Sequence, residues 1–286
     1  MSNTPKILVT GASGTVGTAL VGELKNLEPR LAFHTAVKAE KAKTEGHDTV
    51  LVDFAFPETL KPALEGVDAV FLLGTGGLGQ EQGEIAVVAA AKEVGVKKVV
   101  KLSMWSAEAE ANTFTRIHRA VERFIESSGL IFTFLRPNGF MQNFVSYMAD
   151  GIRTQGMIYL PAGAAKISHV DVRDLARVAA IALTSSLHEG KAYELSGPAA
   201  LSYGDAAEVL SRVLGKQVRY VAVNDDAAKA AMVSAHMPAF YADYLVELYQ
   251  YYRTGAGSPV SRAVEEITGR APVAFEQFVR DHVSAF

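Results

Sequence analysis

The chain has no cysteine in 286 residues. Disulfides, thiolate nucleophiles and thiolate metal sites are therefore excluded, and a reducing compartment is compatible with the composition. Net charge is also scarce. The formal value of −3 is too small for a nucleic-acid-binding surface. No apolar run reaches the length of a membrane span; the stretch from Val87 to Val100 is broken by Lys92, Glu93, Lys97 and Lys98. No His/Asp/Glu spacing marks a metal site, and no Gly-x-Ser-x-Gly marks a hydrolase. Internal repeats, low-complexity tracts and long linkers are missing. The N-terminus enters an apolar strand almost at once, which leaves no room for a signal peptide. These absences predict a soluble, cytoplasmic protein.

What is present is a glycine turn in a specific setting. Lys6-Ile7-Leu8-Val9-Thr10 reads as a short apolar strand running into Gly11-Ala12-Ser13-Gly14-Thr15-Val16-Gly17. Val16, Ala19, Leu20, Leu24 and Leu27 then keep helical spacing. Glycines spaced G-x-x-G-x-x-G between a strand and a helix bind the pyrophosphate of a dinucleotide. The first allows the tight turn, the second lets the backbone approach the phosphates, and the third lets the helix pack on the sheet. Amides at the helix start, with the helix dipole behind them, attract the anion.

Apolar residues make up 49% of the chain, enough for a globular core. Through the first half, strands alternate with helices. Predicted strands cover Ile7 to Thr10, Ala32 to Val37, Thr49 to Phe54, Ala69 to Gly74, Lys98 to Ser103 and Ile131 to Arg136. This βαβ series predicts an α/β fold: a Rossmann-type, doubly wound parallel sheet with helices on both faces. Beyond Pro137 the pattern loosens into a small, mainly helical lobe. We expect a nucleotide-binding domain over residues 1–150 and a smaller substrate lobe over 151–286. The segment around 165–195 is expected to return to the core, and the substrate to lie in the cleft between the two.

The end of the second strand selects the nucleotide. An acid there binds the ribose 2′-hydroxyl of NAD, whereas a cation accommodates the 2′-phosphate of NADP. Lys38 follows the predicted strand and Lys41 is close behind, which favours NADPH; the alternative is a solvated helix start. Asp53 ends the third strand. It either hydrogen-bonds adenine or caps the next turn.

Several stretches resemble a known family. Thr10 to Gly17, Asp53 and Gly95-Val96-Lys97-Lys98-Val99-Val100-Lys101-Leu102-Ser103 look like an atypical short-chain dehydrogenase/reductase. Ser128-Gly129-Leu130, Leu135-Arg136-Pro137-Asn138-Gly139-Phe140-Met141-Gln142-Asn143, His169-Val170-Asp171-Val172-Arg173-Asp174-Leu175-Ala176 and Ile267-Thr268-Gly269-Arg270-Ala271-Pro272 resemble its NmrA-like group. That group includes reductases of triphenylmethane dyes, azo compounds and quinones, and a redox-sensing regulator. The resemblance implies cofactor contacts from Thr10, Gly11, Ser13, Gly14, Thr15, Val16, Gly17, Lys38, Asp53, Phe54, Gly74, Thr75, Ser103, His118, Pro137, Asn138, Gly139 and Phe140.

Ordinary members of the wider family use a Tyr-x-x-x-Lys pair, in which the tyrosine protonates the carbonyl oxygen. No such pair occurs in this chain. Anchored on Glu122, the lysine position is His118 and the tyrosine position Phe114. A hydride donor without a strong acid suits an acceptor that is already electron-poor: a quinone, an azo or hydrazone group, an iminium ion or a triarylmethyl cation. An ordinary ketone lacks that advantage.

His118 and Ser103 are the candidate catalytic groups. His118 either holds the ribose or supplies a proton, with Glu122 one helical turn on and able to orient it. Ser103 either meets the ligand at the carboxyl edge of the sheet or caps a turn. Trp105, Phe140, Met141, Asn143 and His169 are candidate substrate contacts, with core packing as the alternative for each apolar one. The stripe Tyr241, Tyr244, Leu248 and Tyr252 packs the lobe or forms a homodimer contact. The function expected is NADPH-dependent reduction of an aromatic or conjugated small molecule. The alternative is a non-catalytic NADP-binding redox sensor with a protein partner. An epimerase or dehydratase fits poorly without the Tyr-Lys pair.

Overall fold

The computed structural model describes residues 5–74 and 76–286. Short apolar runs, each closed by a polar or glycine turn, make the strands. β1 (Ile7–Val9) is wholly buried and passes through the glycine turn into α1 (Thr15–Glu23). There follow β2 (Arg30–Phe33), α2 (Ala36–Thr44), β3 (Thr49–Leu51), α3 (Leu60–Leu64), β4 (Ala69–Leu72), α4 (Gln80–Glu93), β5 (Lys98–Leu102), α5 (Thr113–Ser128) and β6 (Ile131–Pro137). The second half adds α6 (Ala149–Gln155), β7 (Met157–Leu160), β8 (Lys166–Ile167), α7 (Val172–Thr184), β9 (Lys191–Leu195), β10 (Leu201–Ser202), α8 (Tyr203–Leu214) and β11 (Arg219–Ala222). It closes with α9 (Asp225–Ser234), α10 (Ala239–Arg253), α11 (Ala263–Thr268) and α12 (Phe275–Asp281).

Seven strands form one sheet in the order β3-β2-β1-β4-β5-β6-β9. From β3 to β6 every neighbouring pair is parallel. The order runs one way from β1 through β2 to β3, and the other way through β4, β5 and β6. Because parallel crossovers are right-handed, this reversal sends the connecting helices to opposite faces of the sheet. The predicted doubly wound α/β fold is therefore present. Its switch point lies between β1 and β4, where ligands bind beyond the carboxyl ends of the strands.

One predicted boundary shifts with consequence. The second strand ends at Phe33, not Val37, and Ala36 opens α2. The run from Ala36 to Thr44 is mostly alanine, lysine and glutamate, which are strong helix formers. Val37 is 81% exposed, so no packing partner holds it in the sheet. Lys38 consequently sits in the first turn of α2.

The chain forms two compact units, each discontinuous in sequence. The first takes the chain up to Met104, with Ile117–Arg136 and Leu175–Tyr193. Its core sets Leu8, Val70, Leu72 and Val99 of the sheet against Leu60, Val87, Val88, Val121 and Ile125 of the helices. Burying each of these side chains contributes about 1.5–3 kcal/mol. The second unit holds Trp105–Arg116, Pro137–Asp174 and Glu194–Phe286. It packs Phe144, Ile152, Ile158, Tyr203, Leu210 and Phe278 beside two small sheets, β7 with β11 and β8 with β10. A capping box between Ser202 and Asp205 starts α8, and Gly215 in the left-handed region (φ 65°) ends it.

Candidate functional site

The glycine turn sits at the switch point. Gly11 adopts φ +64°, a conformation that favours glycine. A Cβ on Gly17 would lie 2.1 Å from the Gly11 carbonyl oxygen, so α1 packs on the turn as only glycine allows. Gly11, Ser13, Gly14 and Thr15 are exposed, whereas Val16 is buried under the helix. No side chain caps α1 at Gly14, and its first turn carries no acidic residue. An uncapped helix start leaves backbone N–H donors for an anion. Lys38 reaches back to this turn, its Nζ 3.4 Å from Ser13 Oγ. A bare, glycine-lined helix N-terminus with a lysine beside it fits the phosphates of a dinucleotide.

Other predicted cofactor residues have structural partners of their own. The Thr10 hydroxyl accepts from the Leu73 N–H at 2.8 Å and lies 3.0 Å from the Phe71 and Leu73 carbonyls, which ties β1 to the exit of β4. Asp53 accepts from the Ala55 N–H at 2.9 Å, the turn-capping contact, and its other oxygen lies 3.5 Å from His34 Nδ1. Phe54 packs on α4 at Gly83, where a Cβ would meet it at 2.8 Å. Gly74 lies over Glu84: a Cβ there would fall 2.4 Å from the carboxylate. Thr75 lies outside the described residues.

Near the carboxyl ends of β5 and β6 stand two buried ionic clusters. In the first, Lys101 and Glu84 are fully buried and paired. Lys101 Nζ also lies 3.2 Å from His118 Nδ1. Burial, and then the Lys101 charge, hold the His118 imidazole well below the usual histidine range. In the second cluster, Glu122 accepts from Ser103 at 2.6 Å, from Arg119 at 3.1 Å, and from two nitrogens of Arg136 at 2.9 and 2.8 Å. Glu122 is thus saturated. The imidazole one turn away rests on a cation, not on this carboxylate. The Ser103 proton is committed to Glu122, which leaves its oxygen as an acceptor.

In the second unit, Asn138 is a four-way tie. Its amide donates to Ser168 Oγ and the Gly257 carbonyl, both at 2.9 Å, and its oxygen accepts from the Gly139 N–H and the Tyr252 hydroxyl. His169 is packed edge-on to Phe144 and Tyr203 and against Gly139. Burial lowers its pKa to about 4, so it is neutral at pH 7. Met141 is 2% exposed in the same core. Trp105 is buried, with its indole N–H donating to the Ala256 carbonyl at 2.9 Å and its backbone N–H to the Pro137 carbonyl. Phe140 and Asn143 are half-buried. The tyrosine stripe packs inside this unit: Tyr241 and Tyr244 flank Phe114 edge-on, and Tyr252 is buried. Among the described residues no group of acidic and histidine side chains could hold a metal ion, and no helix is long and apolar enough to cross a membrane.

A model of the NmrA-like family matches residues 3–278. The chain belongs to that family. It is 38% identical to an NAD(P)H azoreductase of Xenophilus azovorans over 98% of this chain and 99% of the other. It is also 38% identical to a (4-alkanoyl-5-oxo-2,5-dihydrofuran-3-yl)methyl phosphate reductase of Streptomyces griseus, again over 98% and 99%. An NADPH-dependent quinone oxidoreductase of Escherichia coli, solved with NADPH, superposes with a TM-score of 0.88 at 25% identity, covering 97% of this chain and 99% of that one.

Within this NmrA-like chain, sequence reasoning missed Lys101, Glu84 and Arg136 as parts of the site. A signal was available. Lys101 and Arg136 stand in strands flanked by apolar residues, and a charge in a strand buried on both faces needs a partner. Which carboxylate supplies it is a tertiary matter.

Proposed function

We propose that the chain is an NADPH-dependent reductase that delivers a hydride to an electron-poor conjugated acceptor. The observation that carries this reading is Phe114. At the position of the proton-donating tyrosine stands a buried ring between Tyr241 and Tyr244, with no hydroxyl to offer. When bound, NADPH supplies a hydride from its nicotinamide ring. The protein's part is to hold and orient. The Gly11–Gly17 turn takes the pyrophosphate, and Lys38 takes the 2′-phosphate from the first turn of α2. His118 and the Ser103 oxygen serve the reacting end. Of the candidate substrate contacts in the second unit, Phe140 and Asn143 are the half-buried ones.

An acceptor that stabilises added charge by itself needs no positioned acid. Iminium and triarylmethyl cations need no proton at all, and quinones or azo groups take theirs from water. The azoreductase and the furanone phosphate reductase named above both act on conjugated acceptors, in keeping with this chemistry. The test is an NADPH-oxidation screen over quinones, azo dyes, iminium ions, triarylmethyl dyes and unsaturated lactones, with NADH as control. Turnover of at least one class is expected. Tight NADPH binding with silence across the panel would overturn the reductase and leave the redox sensor.

A further inference from the structure

Lys101 is a fully buried charge in the first unit. It stands on β5, between β4 and β6, with no exposed surface. Its ammonium has three neighbours: the Glu84 carboxylate on α4, the Leu102 carbonyl at 3.1 Å, and His118 Nδ1 on α5 at 3.2 Å. An ammonium has three protons and no lone pair, so each neighbour must accept. A carboxylate and a carbonyl can do nothing else. His118 Nδ1 must therefore present its lone pair.

We propose that the buried Glu84–Lys101 pair is a positioning device that keeps His118 neutral with its proton on Nε2. His118 is then a hydrogen-bond donor toward an oxygen of the bound ligand, and not an acid.

The surroundings agree from every side. On β5, Lys101 is the charge next to the ring. On α4, Glu84 is engaged by Lys101 and by the Gln80 amide at 3.0 Å. On α5 itself, Glu122 is saturated by Ser103, Arg119 and Arg136, the last from β6. No carboxylate is left to draw a second proton onto the imidazole. A doubly protonated ring would set an N–H against an ammonium at 3.2 Å, two like charges in a buried site. The device also reaches the cofactor side: Glu84 lies directly under Gly74 at the exit of β4, where any side chain would strike the carboxylate. A fixed N–H donor stabilises negative charge without reorganising at the moment of reaction. What the donor touches rests on the reductase reading; its protonation state does not.

The experiment is side-chain nitrogen NMR of the full chain labelled at its seven histidines, with His118 assigned through His118→Gln. His118 is expected as the Nε2–H form, unchanged from pH 5 to 8. The double variant Lys101→Met/Glu84→Gln removes both charges together, so neither is left buried alone. In it the Nδ1–H form of His118 is expected to appear and its pKa to rise from the wild-type position, while burial still holds it below the usual histidine range. An Nδ1–H form or a titrating His118 in the wild type would overturn the proposal. So would a double variant whose His118 keeps the wild-type tautomer and the wild-type pKa unchanged. If the double variant does not fold, the wild-type spectrum decides alone. Because the spectrum needs no substrate, a chain that turns over no acceptor refutes the reductase and leaves this result standing or falling on its own.

Discussion

Replacing Gly17 with alanine probes the nucleotide cradle at its tightest point. The added Cβ would lie 2.1 Å from the Gly11 oxygen, 2.7 Å from Ala12 Cα and 2.8 Å from the Gly11 carbonyl carbon. All three are backbone atoms, so no side chain can swing aside. Real Cβ atoms hardly ever come within 3.0 Å. The start of α1 must therefore retreat by about 1 Å. Overpacking of this kind costs about 1–3 kcal/mol of stability. The phosphate-facing amides move with the helix, and a displacement of about 1 Å in a positioned group can cost about a hundredfold.

We expect Gly17→Ala to melt earlier and to bind NADPH at least about tenfold more weakly, which is about 1.4 kcal/mol. Gly22 provides the control in the same helix. It is exposed, and a Cβ there meets nothing within 4 Å. Gly22→Ala should leave binding unchanged and stabilise the fold by about 0.5–1 kcal/mol, as an alanine does in a helix interior. Calorimetric titration with NADPH and thermal melts read both variants. Wild-type affinity in Gly17→Ala, or identical behaviour of the two variants, would refute a cradle built on this close approach.

Lys38→Ala should weaken NADPH several-fold while leaving NADH affinity unchanged, since an exposed lysine–phosphate contact is worth about 1 kcal/mol; equal losses for both nucleotides would remove Lys38 from the 2′-phosphate. Arg136→Met should destabilise the fold by about 3 kcal/mol in urea unfolding, because it takes a two-point partner from the buried Glu122. Arg136→Met/Glu122→Gln should recover much of that loss. His169 sets a pH dependence. Its folded pKa of about 4 lies below the unfolded value, so the unfolded chain binds the extra proton between about pH 4 and 6.5. Stability is full above that window and falls as pH drops through it, by up to about 3 kcal/mol for this group. His169→Gln should flatten that part of the pH–stability curve, and an unchanged slope would show that another group carries it.

The parallel sheet was legible because its signals are local. Ile7–Val9 and Ala69–Leu72 are apolar on both faces, as central parallel strands must be, and Gly95 and Gly129 stop the helices before β5 and β6. The glycine turn was legible for the same reason, since its spacing encodes backbone geometry directly. The end of β2 was not. Ala36 and Val37 carry apolar side chains that extend a strand pattern, and only their exposure shows that nothing packs on them. The partners of His118 were least legible. Glu122 at i+4 is the partner a helix alone would supply, but Arg136 arrives from β6 and takes it. Lys101 then meets the imidazole from β5. Both substitutions depend on strand register, which places Lys101 beside Phe134 and Leu102 beside Leu135 in the sheet.

The two ionic clusters bear together on what the site can reduce. Glu122 and Glu84 are the buried carboxylates that might have charged an imidazole or relayed a proton. The first is saturated by Arg119, Arg136 and Ser103, and the second is paired with Lys101. Each carboxylate is thereby held as an acceptor, and the cation on Glu84 faces the histidine. Phe114 offers no hydroxyl, Ser103 donates its hydroxyl proton in a hydrogen bond to Glu122, and His118 rests against an ammonium. A general acid contributes about 10²–10⁴-fold to a rate. With none of these groups free to act as one, the reductase proposed above draws that factor from the electrophilicity of its acceptor. A ketone cannot supply it, whereas a quinone, an azo bond or a carbocation can. Acceptor choice on this reading follows from the wiring of Lys101 and Arg136 as much as from the shape of any pocket.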